Sequence, residues 1–179
     1  MRRITKLISS KFHTKNWRKT QSWYNTGKQN ECEIFQLETI QNITRNEIKK
    51  TDLRFNTECM SLHDNKHPNV MTNGFEYTED FDGYQHLNDK HVYYNLKMVC
   101  DKGGSQTRTL REVYNFIRCQ LDFLLSKNNY INKLNLSNNS TNNDDKYPNI
   151  KTNTHFLNIL DGDECYRTRD KFLYLLNKT

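Results

Sequence analysis

The sequence predicts an α/β (α+β) domain with a mixed central β-sheet flanked by helices, and three observations predict it. Apolar residues alternate over 75–82 and again over 91–99, a helical stripe follows over 107–126, and a short apolar run then precedes an amphipathic segment. Strand, strand, helix, strand, helix calls for helices layered on a sheet.

The elements follow in order. Residues 1–70 carry apolar clusters, "WRKTQSWYN" and "CEIFQLETI", whose spacing suits a helix or short strands equally. "HDNKHPNVMTNG" concentrates His, Asn, Pro and Gly and reads as a loop. Phe75, Tyr77 and Phe81 then share one face of a half-buried strand, with Glu76, Thr78, Asp80 and Asp82 on the other. "HLNDK" supplies a polar turn. The next strand puts Val92, Tyr94, Leu96 and Met98 opposite Tyr93, Asn95, Lys97 and Val99, and the two strands are expected to pair as a hairpin. After a Gly-containing turn, Leu110, Val113, Tyr114, Ile117, Leu121 and Leu124 form one helical stripe. Residues 127–154 are Asn/Ser/Thr-rich and are expected to form a long flexible insertion. "HFLNIL" reads as a short buried strand, and 166–176 as a terminal helix facing inward through Phe172, Leu175 and Leu176.

One domain is expected from 179 residues, since two would each have a poor core. The hydrophobic fraction is 34%, much of it aromatic, and mean hydropathy is −1.00, so the core should be thin. Alanine is absent while Asn and Lys abound, a bias of A/T-rich coding that says nothing about mechanism. Of 27 Lys and Arg, eight precede Glu31 with no acid among them, leaving 19 against 21 Asp and Glu, so the net charge of +6 belongs to the N-terminal part. Residues 1–30 read as a basic arm and 31–179 as the domain proper. Such an arm suits a phosphate backbone, resembles an Arg-rich presequence, and is equally well an ordinary solvated tail.

Five widely spaced cysteines without a C-x-x-C pair argue against a disulfide framework or zinc ribbon and for a reducing compartment such as the cytoplasm. No apolar run approaches the roughly 18 residues that span a bilayer, so a soluble protein is expected, with no membrane partner.

Chemistry concentrates in two places. Asp82, before Gly83, and Lys97 on the neighbouring strand could hold Mg²⁺ and orient a hydrolytic water, with Glu79, Asp80 or Glu112 adding carboxylates. The ordinary alternative is a turn-capping Asp82 and an exposed Lys97. "KGGSQTRTLRE" opens a helix with free N–H groups, and Lys102, Gln106, Thr107, Arg108 and Arg111 crowd its start, as anion or DNA contacts or as plain surface residues. His63 and His67 lie in loop-like sequence that disfavours zinc, and Asp161 and Asp163 in "LDGD" fit a turn.

"EDFDG", the lysine-bearing strand, "GGSQTRTLREVYNFI" and the late "FLNILDGD" before a Leu/Tyr-rich helix together resemble the core of type II restriction endonucleases of the PD-(D/E)XK superfamily. The resemblance spans 75–120 and 155–176, over a third of the chain. It implies a restriction-endonuclease-like core, Mg²⁺ as cofactor, double-stranded DNA as partner, and products with 5′-phosphate and 3′-hydroxyl ends. By position it implies Asp82 as the first acid and Lys97 as the catalytic lysine. Asn95 stands where the second acid belongs, and a second acid migrated to the next helix would be Glu112. Metal would be held by Asp82 with Asp80 or Glu112, and DNA by Lys102, Gln106, Thr107, Arg108 and Arg111. Symmetric cleavage suggests a homodimer. The other expectation is a non-catalytic nucleic-acid-binding relative of such nucleases, with Asn95 marking lost activity.

Overall fold

The structure, a computed structural model, describes residues 6–8, 14–22, 30–51, 53–56, 61–64, 78–136 and 153–177. The element order is β1 (Lys6–Ile8), α1 (Thr14–Thr20), α2 (Glu31–Thr44), β2 (Leu53–Asn56), β3 (Ser61–Asp64), β4 (Thr78–Asp80), β5 (Gly83–Leu87), β6 (Lys90–Met98), α3 (Gly104–Leu136), β7 (Thr154–Asp161) and α4 (Asp163–Asn177).

A mixed four-stranded sheet runs β1-β7-β6-β5, and a smaller antiparallel sheet runs β3-β2-β4. β5 and β6 are antiparallel, whereas β6, β7 and β1 are parallel, so α3 is the crossover that a parallel pair needs. Lys49 bonds both ways with Tyr84, at 2.9 and 2.8 Å, and prolongs the first sheet beyond β5.

Alternation along β6 explains the layering. Val92, Tyr94 and Leu96 pack with Ile40 of α2 on one face. On the other, Tyr93 joins Phe116 and Phe123 of α3, and Val99 joins Leu110, Val113, Ile117 and Leu121 of α3 with Cys165, Phe172 and Leu175 of α4. β6 is therefore buried on both faces, as a central strand with helices on both sides must be. Phe55 of β2, fully buried, lies 5.5–6.1 Å edge-on from Phe116, Phe123 and Phe156, and this aromatic contact docks the small sheet on the main core.

The expected hairpin exists with a different first strand. Its strands are β5 and β6, joined at Asn88 and Asp89, both with positive φ (45° and 66°), the backbone of a tight type I′ hairpin turn. "GYQHL" lacks an apolar alternation because its inward residue is Gln85, 1% exposed, which donates to Thr44 Oγ1 and Asn46 O and accepts from the Tyr94 hydroxyl. Of the strand expected over 75–82, Thr78–Asp80 is extended but pairs with β2 in the small sheet; Phe75 and Tyr77 lie outside the described residues. Gly83, the first residue of β5, leaves room for Ile48, whose Cγ2 an added Cβ would meet at 2.6 Å.

The helix expected over 107–126 begins at Gly104 and continues to Leu136. The flexible insertion expected over 127–154 is thus corrected for 127–136, which continue α3; residues 137–152 lie outside the described residues. The basic segment 1–30 contributes β1 to the edge of the sheet, and α1, whose Trp17 ring lies 4.6 Å from that of Phe35 in α2. The open choice for 31–44 resolves as a helix, ended by Arg45 in the left-handed region with its N–H bonded to Gln41 O. Among the described residues no helix is long and apolar enough to cross a membrane.

Candidate active site at the junction of the two sheets

The chain leaves the small sheet at β4 and enters the large one at β5 through Phe81 and Asp82. Phe81 turns into the core, stacked on Phe156 at 5.5 Å. Asp82 is left at the seam, where its N–H bonds to Tyr94 O and its Oδ2 accepts the Leu96 N–H at 2.5 Å. The carboxylate thus takes the place of a main-chain acceptor at the start of the β5–β6 ladder, and is pinned beside Lys97.

Lys97 is the cation to which the surrounding acids respond. Burial holds the Asp82 carboxyl above its ordinary value, with Asp80 adding to the rise and Lys97 and the Leu96 N–H opposing it. Crowding by the surrounding protein raises Glu79 too, although its surface stays open to solvent; Lys97 opposes, and Glu112, Asp80 and Asp82 reinforce. Glu33, in the first turn of α2, is raised by burial and then by Asp82, against Lys97 and Lys50. Glu33 from α2 and Glu79 from β4 are thus each brought within the fields of Asp82, at the β4–β5 junction, and Lys97 on β6. A carboxyl raised by burial and by a second carboxylate, as Glu33 and Glu79 each are by Asp82, is what a cation would relieve.

The other expected residues sit around this cluster with partners of their own. Asp80 lies 2.6 Å from Arg54 Nε across the β2–β4 pair. Glu112 accepts from Arg108 Nε at 2.8 Å on the exposed face of α3, within reach of Glu79's field. Gln106 and Thr107 occupy the first turn of α3, with Gln106 Oε1 accepting from Ser105 and the Thr107 N–H bonded to Gly103 O. Lys102 precedes the helix and is exposed. Thr107 and Arg111 line a cavity toward α4, while Arg108 and Glu112 occupy the side nearer the acids, so the basic helix start divides between two faces.

Asn95 is 3% exposed and donates to Asn158 Oδ1 on β7 at 2.9 Å. Asn158 in turn donates to Gln120 Oε1 on α3 at 2.7 Å, and the ladder ends at Gln120 Nε2, which has no hydrogen-bond partner among the described residues. The position expected of a second acid is occupied by a core amide. Asp161 Oδ1 accepts the Gly162 N–H, as a turn residue does. His63 lies in β3 and His67 outside the described residues. Cys100 and Cys165 are buried thiols pushed up to about 11 and about 12 by burial, and act as core rather than nucleophiles.

Among the described residues no three His, Cys, Asp or Glu side chains converge closely enough to enclose a metal ion. A hydrated Mg²⁺ asks for less: one or two carboxylates, waters and substrate oxygens. Glu33 and Glu79 make no hydrogen bond or ion pair to another described residue, and Asp82 keeps Oδ1 outside its Leu96 bond, so Asp82 with one of the two glutamates fits that donor set. Sequence reasoning missed Glu33, whose signal is an acid in a helix's first turn with nothing local to tie it to Asp82, and it missed Asn158 and Gln120. Set beside protein-family models, curated proteins and solved structures, the chain matches none of them.

Proposed function

We propose that the chain is a Mg²⁺-dependent endonuclease of restriction type that hydrolyses phosphodiester bonds in double-stranded DNA, with its hydrolytic centre at the seam between the two sheets. The observation that carries this reading is the position of Lys97 among Asp82, Glu79 and Glu33, whose carboxyls are all raised. The mixed sheet with helices on both faces, and the acid and the lysine on adjoining segments of one hairpin, support it further.

Mg²⁺, when bound, supplies positive charge to the scissile phosphate and acidity to a water. Asp82, fixed by the Leu96 N–H, would hold it with one further carboxylate, Glu33 or Glu79. Lys97 orients the attacking water and balances charge on the phosphate oxygens. Lys102, Gln106 and Arg108, at the start of α3, contact the DNA backbone beside the cleft. The sequestered Asn95 amide favours the second reading, a non-catalytic nucleic-acid-binding protein.

Incubating the protein with plasmid and Mg²⁺ or Mn²⁺ separates the two. Cleavage that falls about 100-fold or more in Lys97→Ala, with DNA binding retained, supports the enzyme. Salt-sensitive DNA binding without cleavage supports the second reading, and undiminished cleavage by Lys97→Ala rejects the assignment of Lys97.

A further inference from the structure

We propose that the groove between the first turns of α3 and the length of α4 binds a nucleotide unit, a planar base joined to a phosphate. Its lining comes from those two helices alone and includes none of Glu33, Glu79, Asp82 or Lys97. The cavity is about 680 Å³, the size of a small-molecule site.

Its chemistry is two-sided. The floor is apolar, from Leu110 and Phe172, both buried. Two rings rise beside it: Tyr114, tilted 6.1 Å from Phe172, and Tyr174, 57% exposed, which offer faces for a base to stack on. The charged lining is Arg111, Arg167 and Lys171 with Glu164 and Asp170. Arg167 is committed to Glu164, with Nε donating at 2.8 Å and a terminal nitrogen donating to the second oxygen. Asp170 is 87% exposed and lies 3.5 Å from Arg169 Nε. Arg111 makes no hydrogen bond or ion pair to another described residue, and Lys171 interacts with Glu164 only at a distance.

Two cations without close partners above an apolar, ring-walled floor are complementary to an anion with an aromatic body. An apolar ligand would leave Arg111 and Lys171 unanswered, and inorganic phosphate alone would leave the tyrosines unused. The Thr107 hydroxyl, also in the lining, can donate to a sugar or phosphate oxygen, whereas Thr168 Oγ1 already donates to Glu164 O at 2.8 Å. The nucleotide unit has two sources, a free mononucleotide or one residue of a DNA strand.

The test is calorimetric titration of the full chain in EDTA, where no hydrolysis intervenes, with dAMP, deoxyadenosine, inorganic phosphate and a single-stranded oligodeoxyadenylate as probes. Saturable dAMP or oligonucleotide binding is expected, tighter than that of deoxyadenosine or phosphate. The double variant Arg111→Ala, Lys171→Ala should weaken it about tenfold or more by loss of charged hydrogen bonds. Tyr174→Ala should weaken it about fivefold or more through lost stacking, while leaving phosphate binding unchanged. All three side chains are exposed, and thermal unfolding of each variant checks that it folds. Displacement of dAMP by the oligonucleotide, or binding of the oligonucleotide alone, assigns the unit to a strand; dAMP binding without displacement assigns it to the free nucleotide. Absence of saturable binding by both probes, or affinity unchanged in the folded variants, overturns the proposal. Lys97→Ala should bind as the parent does, so a failure of hydrolysis and a failure of this groove are read separately.

Discussion

Asn95 Nδ2 donates to Asn158 Oδ1 at 2.9 Å between two parallel strands, and the bond is the first rung of a buried ladder that runs through Gln120. Every rung points the same way, so the ladder ends on a donor with no partner among the described residues, Gln120 Nε2. Replacing Asn95 by leucine removes the first donor and leaves Asn158 Oδ1 unanswered, at a cost of about 1–3 kcal/mol in urea unfolding. Asn95→Asp behaves differently. A carboxylate there can be met by turning both amides round, which also brings Gln120 Nε2 into a bond. The remaining cost is a buried charge, so the introduced carboxyl should be raised. The deficit against the parent should then be largest at pH 7 and shrink as pH falls, when the protonated acid again donates to Asn158. A deficit independent of pH would show that the ladder holds its direction.

Asp82 carries two opposed contributions that substitutions can separate. Its folded carboxyl is raised, mainly by burial, so the unfolded chain loses this proton first. Folded chains therefore hold more protons as pH climbs past the ordinary value of 3.8, and stability falls until the folded group has also ionised. Asp82→Asn removes this penalty and keeps an oxygen for the Leu96 N–H, and its melting temperature at pH 7 should exceed the parent's. The advantage should vanish well below pH 3.8. Asp82→Ala keeps neither oxygen and should lose about 1–3 kcal/mol from the unpaired N–H. A parent more stable than Asp82→Asn at pH 7 would mean that attraction by Lys97 outweighs burial.

Gly162 joins β7 to α4 with φ at 102°, and an added Cβ would stand 2.3 Å from Val99 O. That oxygen accepts the Glu164 N–H at 3.0 Å, so the collision falls on the bond that starts α4. Gly162→Ala should cost about 2–4 kcal/mol, read as a lower urea midpoint. A loss below that range would mean that the Val99 strand end yields to admit the methyl.

Periodicity carried the elements that packing makes periodic. The stripe from Leu110 to Leu124 is the buried face of α3, and the alternation of Val92, Tyr94 and Leu96 against Tyr93 separates the two faces of β6. Reading failed where burial is polar or pairing is remote. Gln85 hides a strand because three hydrogen bonds replace the apolar side chain that would have marked it. Thr78–Asp80 alternates correctly for a strand, yet alternation does not say which sheet it joins. At the site, Asp82 and Lys97 were legible from a carboxylate before glycine and a lysine on the next strand. Glu33 was not, because the stretch between it and Asp82 includes a whole small sheet, and only the fold sets them side by side.

Glu33 gives the sharpest test of the hydrolytic centre. It reaches the cluster from α2, a helix on the face of the sheet opposite α3, and its carboxyl is raised by burial and by Asp82. If it shares a cation with Asp82, Glu33→Gln weakens the response to that cation more than it weakens DNA binding. Cleavage by Glu33→Gln should need about tenfold more Mg²⁺ to reach half its maximum, the effect of losing one of a few carboxylates on a hard ion. The stability readout is independent of activity. Mg²⁺ should raise the parent's melting temperature by mass action, more at pH 7 than at pH 5, because the raised carboxyls must be ionised to bind. In Glu33→Gln that rise should be smaller at both pH values. Equal Mg²⁺ stabilisation of parent and variant would remove Glu33 from the metal-binding set and leave Asp82 and Glu79 to serve alone.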